Sequence, residues 1–225
     1  MCIRDRVGSQ EDLAWLWGKI GSTAEGERGP AWQAMLEIFK GSDAGVLNEW
    51  IAKFDSPSTK AKLSAEQKLS FLEMAEGKAV RENKLQMLKN IRVNLADLYK
   101  KTGDFEQAAK YLGILQAEAK KAEERDKILA DLLDAYLRWP NVEAATKLVD
   151  NCLLEKDLEP NSVIVLAIDN YLSEPPAGVD PNVAIKALTE INPSRKRPKW
   201  LMQVKLWLSR LPQSKEPSET KKVGD

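Results

Sequence analysis

An all-helical chain, an α-solenoid of stacked antiparallel hairpins, is the fold class this sequence predicts, and three observations carry the prediction. Ala, Leu, Lys and Glu dominate the 225 residues, while strand-forming runs are sparse. Apolar residues recur at helical spacing along most of the chain, punctuated by start and stop signals. The third observation is an internal repeat. Asp97-Leu98-Tyr99-Lys100 returns as Asp134-Ala135-Tyr136-Leu137 and again as Asp169-Asn170-Tyr171-Leu172, with the tyrosines 37 and then 35 residues apart.

Taken in order, the first helix runs from Ser9 to Ile20. Its stripe is Leu13, Trp17 and Ile20 with Leu16, and Ser9 with Asp12 three residues on forms a capping start. Gly21 to Gly29 is a polar loop, and Pro30 suits the first turn of a second helix carrying Trp32, Met35, Leu36 and Phe39. Gly41-Ser42-Asp43 ends it, with Ser42 or Asp43 capping a third helix that carries Val46, Leu47, Trp50, Ile51 and Phe54. Asp55 to Thr59 is a loop between repeats. Ser64 and Gln67 then have the spacing of a capping box, and Leu69, Phe71, Leu72 and Met74 follow on a helix. A further apolar run, Leu85, Leu88, Ile91, Leu95 and Leu98, is separated from it at Gly77 or at Arg81-Glu82-Asn83, or else the two runs form one long helix.

From Leu95 to Leu112 a helix, a tight turn at Thr102-Gly103-Asp104 and a second helix follow one another. Ala96, Ala108 and Ala109 sit where two helices approach closely, and Leu95, Tyr99, Phe105 and Leu112 fill the remaining space. The second helices of the next two units begin at Val142 and Val183, each after Pro-Asn, and the third unit holds a longer turn from Ser173 to Asp180. A final helix carries Trp200, Leu201, Val204, Trp207, Leu208 and Leu211, with one apolar and one polar face, as expected of a cap on the open end of a stack.

Leu95, Ala96, Tyr99, Gly103-Asp104, Phe105 and Ala108 resemble the tetratricopeptide repeat pattern. The second unit keeps Leu132, Tyr136 and Ala145, with Pro140-Asn141 in place of Gly-Asp. Arg92 stands where that family has an early aromatic, and Lys120 where it closes with Pro. The resemblance is good from Arg92 to Lys120, fair from Leu129 to Glu159 and weak from Ser162 to Ile191. Before Ser64 the chain is more similar to helical pairs of the HEAT type. The expected layout is a non-structural start (1–8), HEAT-like pairs (9–60), tetratricopeptide-like repeats with a capping helix (61–211) and a disordered tail (212–225). The resemblance implies a right-handed superhelix in which the first helix of each pair lines a concave side.

Composition narrows the function. Hydrophobic residues at 43% and charged residues at 30% are ordinary for a soluble globular protein. Thirty-four basic residues balance thirty-four acidic ones, which argues against nucleic acid as a partner. Arg195-Lys196-Arg197-Pro198-Lys199 is a single short basic cluster, read as a solvated loop. With no histidine the commonest general base and metal ligand are missing, and Cys2 and Cys152 lack any ligand spacing. Cys152 lies on an apolar stripe and reads as a small buried hydrophobe. Gly21 to Gly29 has neither the lysine nor the preceding strand of a phosphate loop, and Glu123-Glu124-Arg125-Asp126 reads as a linker between units. No catalytic residue, cofactor or metal is expected.

The longest apolar run, Val163 to Ile168, is far short of the roughly 20 residues that span a bilayer. The first eight residues lack the apolar core of a signal peptide. The compartment stays open, with a cytoplasmic location and no membrane insertion as the expectation. The helical pattern begins at Gln10, as expected at the end of a longer protein.

The expected partner is a protein or peptide. If the family's concave side carries over, Asp97, Lys100 and Lys101 face it in the first unit, Asp134, Leu137 and Arg138 in the second, and Asp169 and Leu172 in the third. Those acidic residues either grip a partner's backbone or basic side chains, or form a solvated face of charge pairs. The tyrosines read as wedges between helices. An adaptor and a structural spacer in a larger protein are the two functions left.

Overall fold

The computed structural model describes residues 10–24, 27–54, 62–139, 141–155, 163–175, 181–182, 185 and 198–210. The expected non-structural start, loop 55–59 and polar tail lie outside them. Ten helices have defined bounds, and the described residues contain no strand: α1 Gln10–Ser22, α2 Gly29–Gly41, α3 Ala44–Phe54, α4 Ala65–Arg81, α5 Leu85–Thr102, α6 Phe105–Glu118, α7 Ala122–Arg138, α8 Val142–Glu155, α9 Val163–Ser173 and α10 Pro198–Arg210. The chain divides into two compact units, the first ending at Glu118 and the second beginning at Ala119.

In the first unit the boundaries follow local chemistry. Pro30 occupies the first turn of α2. Asp43 caps α3 by accepting the Val46 amide at 3.0 Å, while the Ser42 hydroxyl turns back to the Ile38 carbonyl. Ser64 and Gln67 form a complete capping box at the start of α4. The helix passes through Gly77 and stops at Glu82–Lys84, where Asn83 takes φ 53°. There the Lys84 amide reaches the Ala79 carbonyl and the Asn83 amide the Val80 carbonyl, a Schellman closure that Asn tolerates. The same closure ends α5: Gly103 has φ 82°, Asp104 donates to the Tyr99 carbonyl at 2.9 Å, and the Asp104 side chain then caps α6 through the Gln107 amide.

The core of this unit crosses residue 60, where a boundary was expected. Phe71 of α4 packs edge-on against Phe54 of α3 and Phe39 of α2, both at 4.8 Å, and lies 6.5 Å from Trp32. Trp17 of α1 meets Trp50 of α3 at 6.0 Å, near perpendicular. The α2–α3 corner is fastened from outside: Glu82 accepts the Ala44 amide at the start of α3, and the Lys78 ammonium donates to the Ser42 carbonyl.

In the second unit Asn141 caps α8 through the Ala144 amide. Glu123 and Glu124 stand in the first turn of α7, where a linker was expected. Acidic residues are favoured there by the helix dipole, which accounts for the cluster. Helix α7 packs on both α8 and α9, and α9 on α10, around Leu133, Val149, Ile168, Tyr171 and Trp207, with Cys152 half-buried against them. Helix α10 departs from the expected capping helix. Val204 and Trp207 are buried, but Met202 (70%), Leu206 and Leu208 (40%) are exposed, so its outer face is not simply polar.

Candidate functional site

The residues proposed from the repeat pattern separate into two groups once their surroundings are known. Leu137 is 1% exposed and belongs to the core of the second unit, which removes it from any contact surface. Leu172 is half-buried against the same core. Asp134 accepts from the Arg138 Nε at 2.9 and 3.0 Å, a one-turn pair on α7 with both side chains about one-fifth exposed. Asp169 accepts the Trp207 indole N–H and an Arg210 N–H, each at 2.9 Å, and so ties α9 to α10. These carboxylates serve internal contacts.

Asp97 and Lys101, one turn apart on α5, are exposed, and Lys100 is half-buried. Asp97 and Lys101, but not Lys100, line a hollow of about 130 Å³ in the first unit together with Asn94 and Leu98. Ile51 and Phe54 of α3 and Lys68, Phe71 and Leu72 of α4 complete its lining. The hollow lies where residues of α3, α4 and α5 come together, and the Phe54 and Phe71 rings in its lining pack edge to face.

Behind the other face of α5 lies a polar cluster whose members sequence reasoning did not single out as a group. Glu76 of α4 receives the Arg92 Nε and the Tyr111 hydroxyl, both at 3.0 Å. Arg92 also reaches Glu118 of α6 at 2.5 Å, and Tyr99 donates to Glu73 at 2.8 Å. Both tyrosines are 8% exposed, so they are wedges between helices with their hydroxyls satisfied. Burial, then the hydrogen bond to Glu76, pushes the Tyr111 phenol up to about 12. Burial and Glu73 raise Tyr99 further, and burial alone raises Tyr136. Burial works against the Arg92 charge, but Glu76 and Glu118 outweigh it and hold its pKa above the ordinary value. The one available sequence signal was Arg92 itself, a charge at a position where the repeat pattern places an aromatic.

Among the described residues no group of three or more His, Cys, Asp or Glu side chains could hold a metal, and no helix is long and apolar enough to cross a membrane. No protein-family model, curated protein or solved structure significantly matches this chain.

Proposed function

We propose that the chain is a non-catalytic scaffold of tetratricopeptide-like hairpins stacked as a solenoid, with a protein or peptide partner held by the first unit. The observation that carries this reading is the exposed pair Asp97 and Lys101 lining a hollow that Ile51, Phe54, Leu72 and Leu98 also line. Apolar floors with a few placed polar groups are what binding sites require. The packing of α5 on both α4 and α6, and of α7 on both α8 and α9, supports the stacked arrangement. A cytoplasmic location goes with this reading. The test is Asp97→Lys with Lys101→Glu in the full chain. Far-UV circular dichroism should be unchanged and capture of a partner in a pull-down lost; undiminished capture would contradict the assignment.

A spacer role within a longer protein is the second reading, and it is favoured for the second unit. There Asp134, Leu137 and Asp169, the positions expected to face a partner, are spent on internal contacts. A catalytic or membrane domain encoded upstream of Met1 would support it.

A further inference from the structure

We infer that Tyr99 is a one-electron donor site. Toward a diffusible one-electron oxidant such as a peroxyl radical, its phenol gives an electron to the oxidant and a proton to the Glu73 carboxylate. One phenolic O–H bond breaks and one carboxylic O–H bond forms. The oxidant is reduced to its anion, and a neutral tyrosyl radical remains beside a protonated glutamate. The reaction is stoichiometric and needs no protein partner, so it stands apart from the scaffold reading above.

Geometry supplies the proton acceptor. The Tyr99 hydroxyl donates to Glu73 Oε1 at 2.8 Å, the distance at which a positioned base takes a proton. Tyr99 is buried whereas Glu73 is exposed, so the proton has a way from the packed phenol to water. A phenol that lost its electron alone would leave a positive charge in that buried place, which is costly. Burial and Glu73 hold the phenol above its ordinary pKa, so at neutral pH the proton is still there to travel with the electron.

Charge singles out Tyr99 among the four tyrosines. Tyr111 is stacked on it, close enough to exchange an electron, but two cations oppose electron loss from that ring. The Lys110 ammonium lies 5.9 Å from its centroid, and Arg92 holds Glu76, the acceptor of its hydroxyl. On Tyr99 the carboxylates of Glu73 and Asp104 act instead, and negative charge favours losing an electron. Glu73 pairs with no cation among the described residues. Burial alone raises Tyr136, so no carboxylate stands at its hydroxyl, and Tyr171 is sealed in the core of the second unit.

Flash oxidation of the full chain by photogenerated tris(bipyridine)ruthenium(III) tests this, with transient absorption and freeze-quench electron paramagnetic resonance as readouts. The unaltered chain should give a tyrosyl signal that Tyr99→Phe removes and Tyr111→Phe leaves. Glu73→Gln keeps a hydrogen-bond acceptor but no base, and should slow formation of that radical on the order of a hundredfold. Glu73 is exposed, so the circular dichroism of this variant should match that of the unaltered chain. Deuterated water should slow the unaltered chain, because a proton moves with the electron. A signal confined to tryptophan, or a tyrosyl signal that outlasts Tyr99→Phe, overturns the assignment. An unchanged rate in Glu73→Gln overturns the proton route.

Discussion

Tyr99 and Tyr111 lie ring over ring across the α5–α6 turn, with centroids 5.9 Å apart and planes 13° from parallel, and each donates its hydroxyl to a different glutamate of α4. A contact within one hairpin thereby becomes a contact among three helices. Glu76 is the member with most to lose, because it also holds Arg92. Glu76→Ala leaves a guanidinium and a phenol without that acceptor and should lower stability by about 1–3 kcal/mol, read from the midpoint of urea unfolding. Glu76→Gln keeps a neutral acceptor and should cost less.

The same tyrosines predict alkaline sensitivity. The folded chain holds the Tyr111 proton more tightly than the unfolded chain, whose phenols ionise near pH 10. Their contribution is complete below about pH 10 and is lost as pH rises through about 12. Tyr111→Phe should flatten that decline. Absorbance of tyrosinate followed against pH should show late-titrating phenols that become ordinary in urea.

Asp169 should behave as a fastener for α10. Asp169→Ala strips the acceptor from the buried Trp207 indole and should cost about 1–3 kcal/mol. Hydrogen exchange should then quicken across residues 198–210. The half-exposed Arg210 contributes little through solvent, so Arg210→Ala should be nearly silent.

Two glycines should respond with opposite signs. At Gly103 nothing would touch an added Cβ, yet φ is +82°, so Gly103→Ala should destabilise by about 1 kcal/mol through backbone strain alone. Gly77 lies inside α4 with open space around it, and Gly77→Ala should stabilise by about 0.5–1 kcal/mol. Thermal melts of the pair in parallel decide this.

These residues also show what the sequence could convey. Ser64 with Gln67, Asp43, and the Gly103–Asp104 turn were legible because their partners lie within a few positions. Of the two break points the sequence offered, Arg81-Glu82-Asn83 is the one used, because a lone glycine such as Gly77 on an exposed helix face costs only about 1 kcal/mol and does not stop α4. The repeat aligned Asp97, Asp134 and Asp169, but their roles diverge through tertiary partners. Arg138 is one turn from Asp134 and was within reach of pattern reasoning, whereas Trp207 is 38 residues from Asp169 and was not. Leu137 shares a repeat position with Lys100, and only packing reveals that one faces the core. The hollow was invisible for the same reason, since its walls come from three separate helices.

The clasp of the last turn of α4 on the α2–α3 corner has a temporal side. Glu82 and Lys78 reach residues made 38 and 36 positions earlier. During synthesis, therefore, the corner emerges with its last fastenings still unmade, and the aromatic face awaiting Phe71 stays open to water. A chain halted before Phe71 would present that face to chaperones, proteases or its own copies. The first half of the protein is thus finished from behind, by residues that arrive after it.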